Sequence, residues 1–145
     1  MSRDYPSRPV VGVGAVVWRD GRVLLIRRGK PPRAGQWSLP GGAQELGETV
    51  LEAARREVRE ETGLELACVE LLTVVDSITR DERGAVRWHY TLVDVVAEAA
   101  AGEPRPGSDA AEVGWFTPDE LDGLGLWAET LRVIRLAAGR RGAGG

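Results

Sequence analysis

Glu57, Glu60 and Glu61 stand within little more than one helical turn of each other, and they are the residues of this 145-residue chain best placed to do chemistry. Thr49 with Glu52 three residues on makes a capping box, in which each side chain bonds the other's free backbone N–H. Gly63 supplies a left-handed stop. The spacing therefore predicts a helix from Val50 to Thr62. On a wheel advancing about 100° per residue, Val50, Leu51, Ala53, Ala54 and Val58 form one apolar arc, and Glu52, Arg55, Arg56 and Arg59 fill the opposite side. Glu52, Arg55 and Arg59 read as an ordinary solvated face, because Glu52 reaches Arg55 and Arg56 at i+3 and i+4 spacing. Glu57 and Glu61 do not fit that reading: they sit one turn apart inside the apolar arc, with Glu60 on its edge. Like charges so placed repel, and desolvation adds a further cost. Either one carboxylate takes up a proton or a cation sits between them. Hard oxygen ligands on a rigid helix suit Mg²⁺ or Mn²⁺, which keep several waters and also bind substrate phosphates.

The elements that must position this helix are mostly strands. Val10 to Trp18 and Arg22 to Arg28 alternate as strands joined by an Asp20-Gly21 turn, a hairpin signature. Lys30 to Gln36 is a Pro- and Gly-containing loop, and Trp37 to Leu39 a short strand feeding Pro40-Gly41-Gly42. Leu66 to Thr79 and Ala85 to Ala97 are strands around the turn at Asp81 to Gly84. A Gly/Pro loop follows from Ala99 to Ala110, then a strand from Glu112 to Phe116. Thr117-Pro118 opens a short helix to Leu121, and Trp127 to Ala138 is a second amphipathic helix. A mixed sheet with flanking helices is an α/β architecture. The expected organisation is a flexible lead over 1–9, one domain over 10–138 and a flexible tail over 139–145.

Composition bounds the function. One domain's length and 43% hydrophobic residues suffice for a core. A net charge of −3 argues against a sequence-independent nucleic-acid binder, which needs a basic face. The single cysteine, Cys68, forms no internal disulfide, so a reducing cytoplasm is the default location, and in LACVELL it reads as a small core residue. No apolar run approaches membrane-spanning length, and no signal-peptide core opens the chain. His89 is the single histidine, which excludes a histidine metal site and gives no support to a Ser-His-Asp triad. Arg27, Arg28, Lys30 and Arg33 form a basic group suited to phosphates, with a solvated strand end as the plain alternative. Trp37 either stacks on a base or packs. Alternation puts Trp88 and Tyr90 on one face of their strand and His89 on the other. The two aromatics either line a nucleoside pocket or, as is more usual, pack in the core.

Gly42, five residues, Glu48, seven residues, then Arg56-Glu57-Val58-Arg59-Glu60-Glu61-Thr62-Gly63-Leu64 resembles the Nudix box at every specified position. The box spans 42–64, and the flanking strands are similar to a Nudix domain as well. The resemblance implies an α/β/α sandwich with a mixed central sheet. It also implies a metal-dependent pyrophosphohydrolase using Mg²⁺, with Mn²⁺ as the other suitable ion. Glu57, Glu60 and Glu61 would be direct metal ligands, with a backbone carbonyl of Gly41 or Gly42 close by. Arg56 would orient a box carboxylate, and Glu48 would steady the loop on the substrate side of the site. The general base in relatives is a box glutamate or an acid from a later loop, here Asp109 or Glu112. Substrate contacts would come from Arg27, Arg28, Arg33, Trp37, Glu48 and Tyr90. The segment RDERGAVRWHY resembles members labelled ADP-ribose pyrophosphatase, which implies a nucleoside diphosphate linked to another moiety. Yet the proline marking many ADP-ribose enzymes beyond the box is replaced by Thr79 and Arg80. The tyrosine marking dinucleoside polyphosphate hydrolases is absent too, with Asp81 and Glu82 in that region. A (deoxy)nucleoside triphosphate pyrophosphohydrolase acting on normal or oxidised nucleotides is the close alternative, and a non-catalytic nucleotide sensor the third. The expected partner is a nucleotide, without a stable nucleic-acid partner or a membrane; a homodimer stays open.

Overall fold

The computed structural model describes residues 4–29, 34–107 and 109–144. Strand β1 (Val10–Arg19) lies at the centre of the sheet. It runs parallel to β6 (Val86–Ala99), in register from Val10 opposite Tyr90 to Trp18 opposite Glu98. The other pairings are antiparallel. Strand β6 pairs with β5 (Leu66–Arg80), which forms one edge. The end of β1 turns through Asp20 and Gly21 into β2 (Arg22–Arg28), and both turn residues have positive φ, 51° and 74°. That is what a two-residue hairpin of right-handed twist needs. Strand β2 then pairs with β3 (Trp37–Ser38) and with β7 (Ala110–Phe116).

Burial along β1 explains why its sequence is nearly all apolar. Val16 and Trp18 point into one core with Val23, Leu25 and Val75, while Ala15 and Val17 point into the other with Leu24, Val95 and Val58. A strand covered on both faces carries no polar side. Helix α1 (Val50–Thr62) closes the second core and helix α2 (Ala128–Gly144) the first. The expected α/β/α sandwich is what the chain forms.

Helix α1 has the predicted bounds and caps. The Glu52 N–H donates to the Thr49 hydroxyl at 3.1 Å, the Thr49 N–H to Glu52 Oε1 at 2.9 Å, and Gly63 has φ 76°.

Four sequence expectations need correcting. The glycine run at Gly41–Ala43 is a strand, β4, antiparallel to Gly12–Gly14 of β1. Cys68 is exposed rather than in the core, since a register shift between Leu66 and Cys68 changes the phase of β5. Helix α2 continues through Gly139 to Gly144, beyond the predicted end at Ala138. Arg140 donates to the Leu71 carbonyl at 3.1 Å and to Glu70 at 3.3 Å, so contact with β5 overrides the glycine's low propensity. Before β1, the Tyr5 N–H donates to the Arg87 carbonyl at 2.7 Å, and its hydroxyl to Asp81 at 2.8 Å, which ties that part of the lead to the β5–β6 turn.

Candidate active site

The buried side of α1 faces strand β4 at very short range. A Cβ on Gly42 would lie 2.5 Å from Glu57 Cδ, and one on Gly41 would strike the Val13 carbonyl oxygen. Only glycine lets this backbone pass between β1 and the helix. The Gly41 N–H donates to Glu61 Oε2 at 3.0 Å. The two carboxylates that broke the amphipathic pattern therefore converge on the glycine pair.

Arg56 organises the remaining acids. Its Nε and Nη2 donate to the two carboxylate oxygens of Glu48 at 2.5 and 3.0 Å. Nη1 donates to Glu57 at 2.8 Å and Glu60 at 3.2 Å, and Nη2 also reaches the Ala43 carbonyl at 3.0 Å. Glu48 accepts a further bond from the Glu45 N–H at 3.0 Å. Both its oxygens are thus engaged, so Glu48 holds Arg56 and the loop rather than facing a substrate, and the substrate-binding expectation for it is corrected. Glu48 and Glu57 are largely buried, with side chains 14% and 13% exposed, whereas Glu60 is 57% exposed.

Electrostatics follow from these positions. The bonds from Arg56 hold Glu48 below its usual range. Burial raises Glu57 despite the same arginine. Burial pushes Glu61 up to about 8, and the nearby Glu57 and Asp109 charges push the same way, while the Gly41 N–H and Arg28 oppose them. A pair of carboxylates that resist ionising in the free protein is what a dication would relieve.

The other expected site residues divide into two groups. Arg28 lines the cleft beside Gly41–Ala43, and its buried Nε has no hydrogen-bond partner among the described residues. Arg27 alternates to the opposite face of β2 and pairs with Glu112 at 2.9 Å. Glu112 is therefore committed to Arg27, while Asp109 lies within electrostatic reach of Glu61. Asp109 is delivered by the loop before β7. There, Arg105 and Gly107 donate to the Thr62 and Glu61 carbonyls at 2.8 Å each, docking the loop on the last turn of α1. A Cβ on Gly107 would collide with the Glu60 carbonyl. Lys30 and Arg33 lie outside the described residues.

From Arg28 and the β4 glycines a cleft of about 380 Å³ runs over the α2 face of the sheet. Trp37, Trp88, Tyr90 and Trp127 all line it. Trp37 is fixed by an edge-to-face contact with Phe116, centroids 5.0 Å apart. Trp88 and Tyr90 share the cleft face of β6, so their usual role as core packing is not the one they take here. Sequence reasoning missed Asp94, Glu129 and Thr130, which line the same cleft. The signal for Asp94 was a lone acid in the run TLVDVVA; the other two had none.

Divalent metal fits the residues present in part. Glu57 and Glu61 offer hard oxygens, and the Gly42 backbone forms a cradle that a side chain would fill. Among the described residues, no three acidic, histidine or cysteine side chains converge on one point. Backbone carbonyls, waters and substrate phosphates would have to complete the shell, which is the usual habit of Mg²⁺.

A sequence model of the NUDIX domain matches residues 8–136. The chain is 41% identical over 116 residues to the "ADP-ribose pyrophosphatase" of Methanocaldococcus jannaschii, covering 80% of this chain and 66% of that protein. It thus spans just under two thirds of that relative's length. It is 40% identical over 113 residues to the "Putative 8-oxo-dGTP diphosphatase 2" of Mycobacterium tuberculosis, covering 77% and 75% of the two chains. The solved structure of a MutT NUDIX hydrolase from Burkholderia pseudomallei superposes with a TM-score of 0.78 at 39% identity, covering 90% of this chain and 98% of that one. Among the described residues, no helix is long and apolar enough to cross a membrane.

Proposed function

Because the chain belongs to the Nudix domain family, we propose that it hydrolyses the pyrophosphate bond of a nucleoside diphosphate linked to another moiety. ADP-ribose or a related sugar nucleotide is the first substrate to test. The observation that carries this reading is the pair of half-buried carboxylates, Glu57 and Glu61, set against the glycines at one end of an aromatic cleft. A pyrophosphate is multiply anionic and repels a nucleophile until its charge is balanced. Mg²⁺ or Mn²⁺ held by Glu57, Glu61, Glu60 and a carbonyl of Gly41 or Gly42 would supply that neutralisation and acidify a water. The chain's own residues do the positioning. Arg28, which lines the cleft, offers its guanidinium to a phosphate oxygen. Asp109, beside Glu61, takes the proton of the attacking water as the oxygen closes on phosphorus. Arg56 fixes Glu57 and Glu60 in place while Glu48 fixes Arg56. Trp37 and Tyr90 bound the space for the nucleoside.

A second reading is a (deoxy)nucleoside triphosphate pyrophosphohydrolase, favoured by the similarity to the putative 8-oxo-dGTP diphosphatase. A substrate screen with Mg²⁺ separates the two. ADP-ribose giving AMP and ribose 5-phosphate supports the first; a triphosphate giving monophosphate and pyrophosphate supports the second. Nucleotide binding without turnover of any member would leave only a sensor.

A further inference from the structure

Asp94 is 6% exposed, and the influences on its carboxyl are burial and the Arg132 charge, with no hydrogen bond among them. Arg132 is the cation nearest to it in effect, but that guanidinium is taken by Glu129 at 2.7 and 3.0 Å. A buried acid costs stability unless it is paired, and the groups around this one face a cleft. Asp94 shares the cleft face of β6 with Trp88, Tyr90 and Leu92, and it lines the cleft itself. Its partner on β1 is Gly14, where a Cβ would lie 2.5 Å from Asp94 Oδ1. Glycine there leaves the carboxylate its room, and Trp127 and Thr130 of the opposite wall face the same space.

The distance to the proposed reaction centre is also informative. Gly14 pairs with Asp94 on one side and with Gly41 on the other, and the Gly41 N–H holds Glu61. Two strand spacings, about 10 Å, therefore separate Asp94 from the glycine at the box. A nucleoside carrying its diphosphate is long enough to bridge that interval.

We propose that Asp94 reads the base of the bound nucleotide, its carboxylate accepting an exocyclic amino group, so that amino-bearing bases are selected over their keto counterparts. This rests on the nucleotide reading given above. An ionised carboxylate only accepts, so an amino group completes it, whereas a keto oxygen presented to it repels. A site built around such a bond rejects the analogue that lacks it far more strongly than an apolar pocket rejects a size change.

The test is equilibrium binding, read by calorimetry, of non-hydrolysable α,β-methylene nucleoside diphosphates to the intact chain with Mg²⁺. The pairs are adenine against hypoxanthine, guanine against xanthine, and cytosine against uracil. The wild type should favour the amino member of at least one pair by roughly tenfold or more. Asp94→Asn keeps the shape but can turn a donor to a keto oxygen, so it should bring that ratio to about one or reverse it. Gly14→Ala, which pushes into the carboxylate's space, should also weaken the preference. No preference in any pair, an unchanged ratio in Asp94→Asn, or an equal loss for both members would each overturn the assignment. Binding needs no turnover. A chain that hydrolyses nothing but keeps the preference removes the hydrolase reading alone, and turnover without preference removes the base reading alone.

Discussion

Arg56 and Glu48 meet through two parallel hydrogen bonds, Nε to Oε2 at 2.5 Å and Nη2 to Oε1 at 3.0 Å, with both side chains largely buried. The remaining Nη1 of the same guanidinium reaches Glu57 and Glu60. A planar fork can satisfy this set and a lysine cannot. Arg56→Lys should therefore disorder two proposed metal ligands without touching either. Outer partners of metal ligands typically matter by about 10- to 100-fold in affinity or activity. We expect Glu48→Gln and Arg56→Lys each to weaken Mg²⁺ activation in that range, seen as a higher metal concentration for half-maximal rate. Arg56→Ala should also lower the urea midpoint, because it leaves Glu48 and Glu57 without the guanidinium that both of them bond. Wild-type metal dependence in Arg56→Lys would remove the positioning role.

The two later-loop acids, equal on sequence, should behave differently. Asp109 lies within electrostatic reach of Glu61, whereas Glu112 is bonded to Arg27 on the other face of β2. General-base catalysis contributes roughly 10²- to 10⁴-fold. Steady-state kinetics should show kcat for Asp109→Ala reduced by about that factor, with KM little changed, and Glu112→Ala close to wild type. The reverse order would move the base to β7.

What the sequence made legible was local chemistry. The capping box, the Gly63 stop and the Asp20-Gly21 turn depend on residues at most four apart, and each forms as read. The misplacement of Glu57 and Glu61 in an apolar arc was visible for the same reason. Strand β4 was not, because Gly41-Gly42 has no side chains to alternate. The exposure of Cys68 depends on a bulge against β6, and the end of α2 on Arg140 reaching Leu71. Asp94 was illegible for a further reason. Its meaning comes from Gly14 and from the wall supplied by α2, neither of which is near it in the chain.

Metal should reveal itself without catalysis. A ligand that binds only the folded state stabilises it by RT ln(1 + [L]/Kd), about 2.7 kcal/mol at a hundredfold excess over Kd. Titrating Mg²⁺ or Mn²⁺ into the chelated protein should raise Tm progressively, and EDTA should reverse the rise along with any activity. Glu57→Gln and Glu61→Gln should each abolish most of that rise. They should themselves be no less stable than the metal-free wild type, since each replaces a carboxyl whose ionisation burial disfavours. A Tm rise that survives both substitutions would place the ion elsewhere.

Asp94 makes a separate prediction about pH. Burial raises its carboxyl from 3.8 to about 6, with Arg132 as the opposing influence and Glu129 bonded to that arginine. The folded protein thus holds this proton more tightly than the unfolded chain does. Between about pH 4 and 6 the folded state binds more protons, so the group's contribution to stability falls as pH rises through that window and is level above it. A difference of that size between folded and unfolded chain corresponds to about 3 kcal/mol at most. Asp94→Asn removes the titration but keeps the volume. Its advantage over wild type in urea midpoints should therefore grow from near zero at pH 4 to a plateau above pH 6. Glu57 and Glu61 shift in the same direction, but they are present in both proteins and cancel in the difference. A difference that stays flat from pH 4 to 7 would mean that the Asp94 carboxyl is solvated in the folded state.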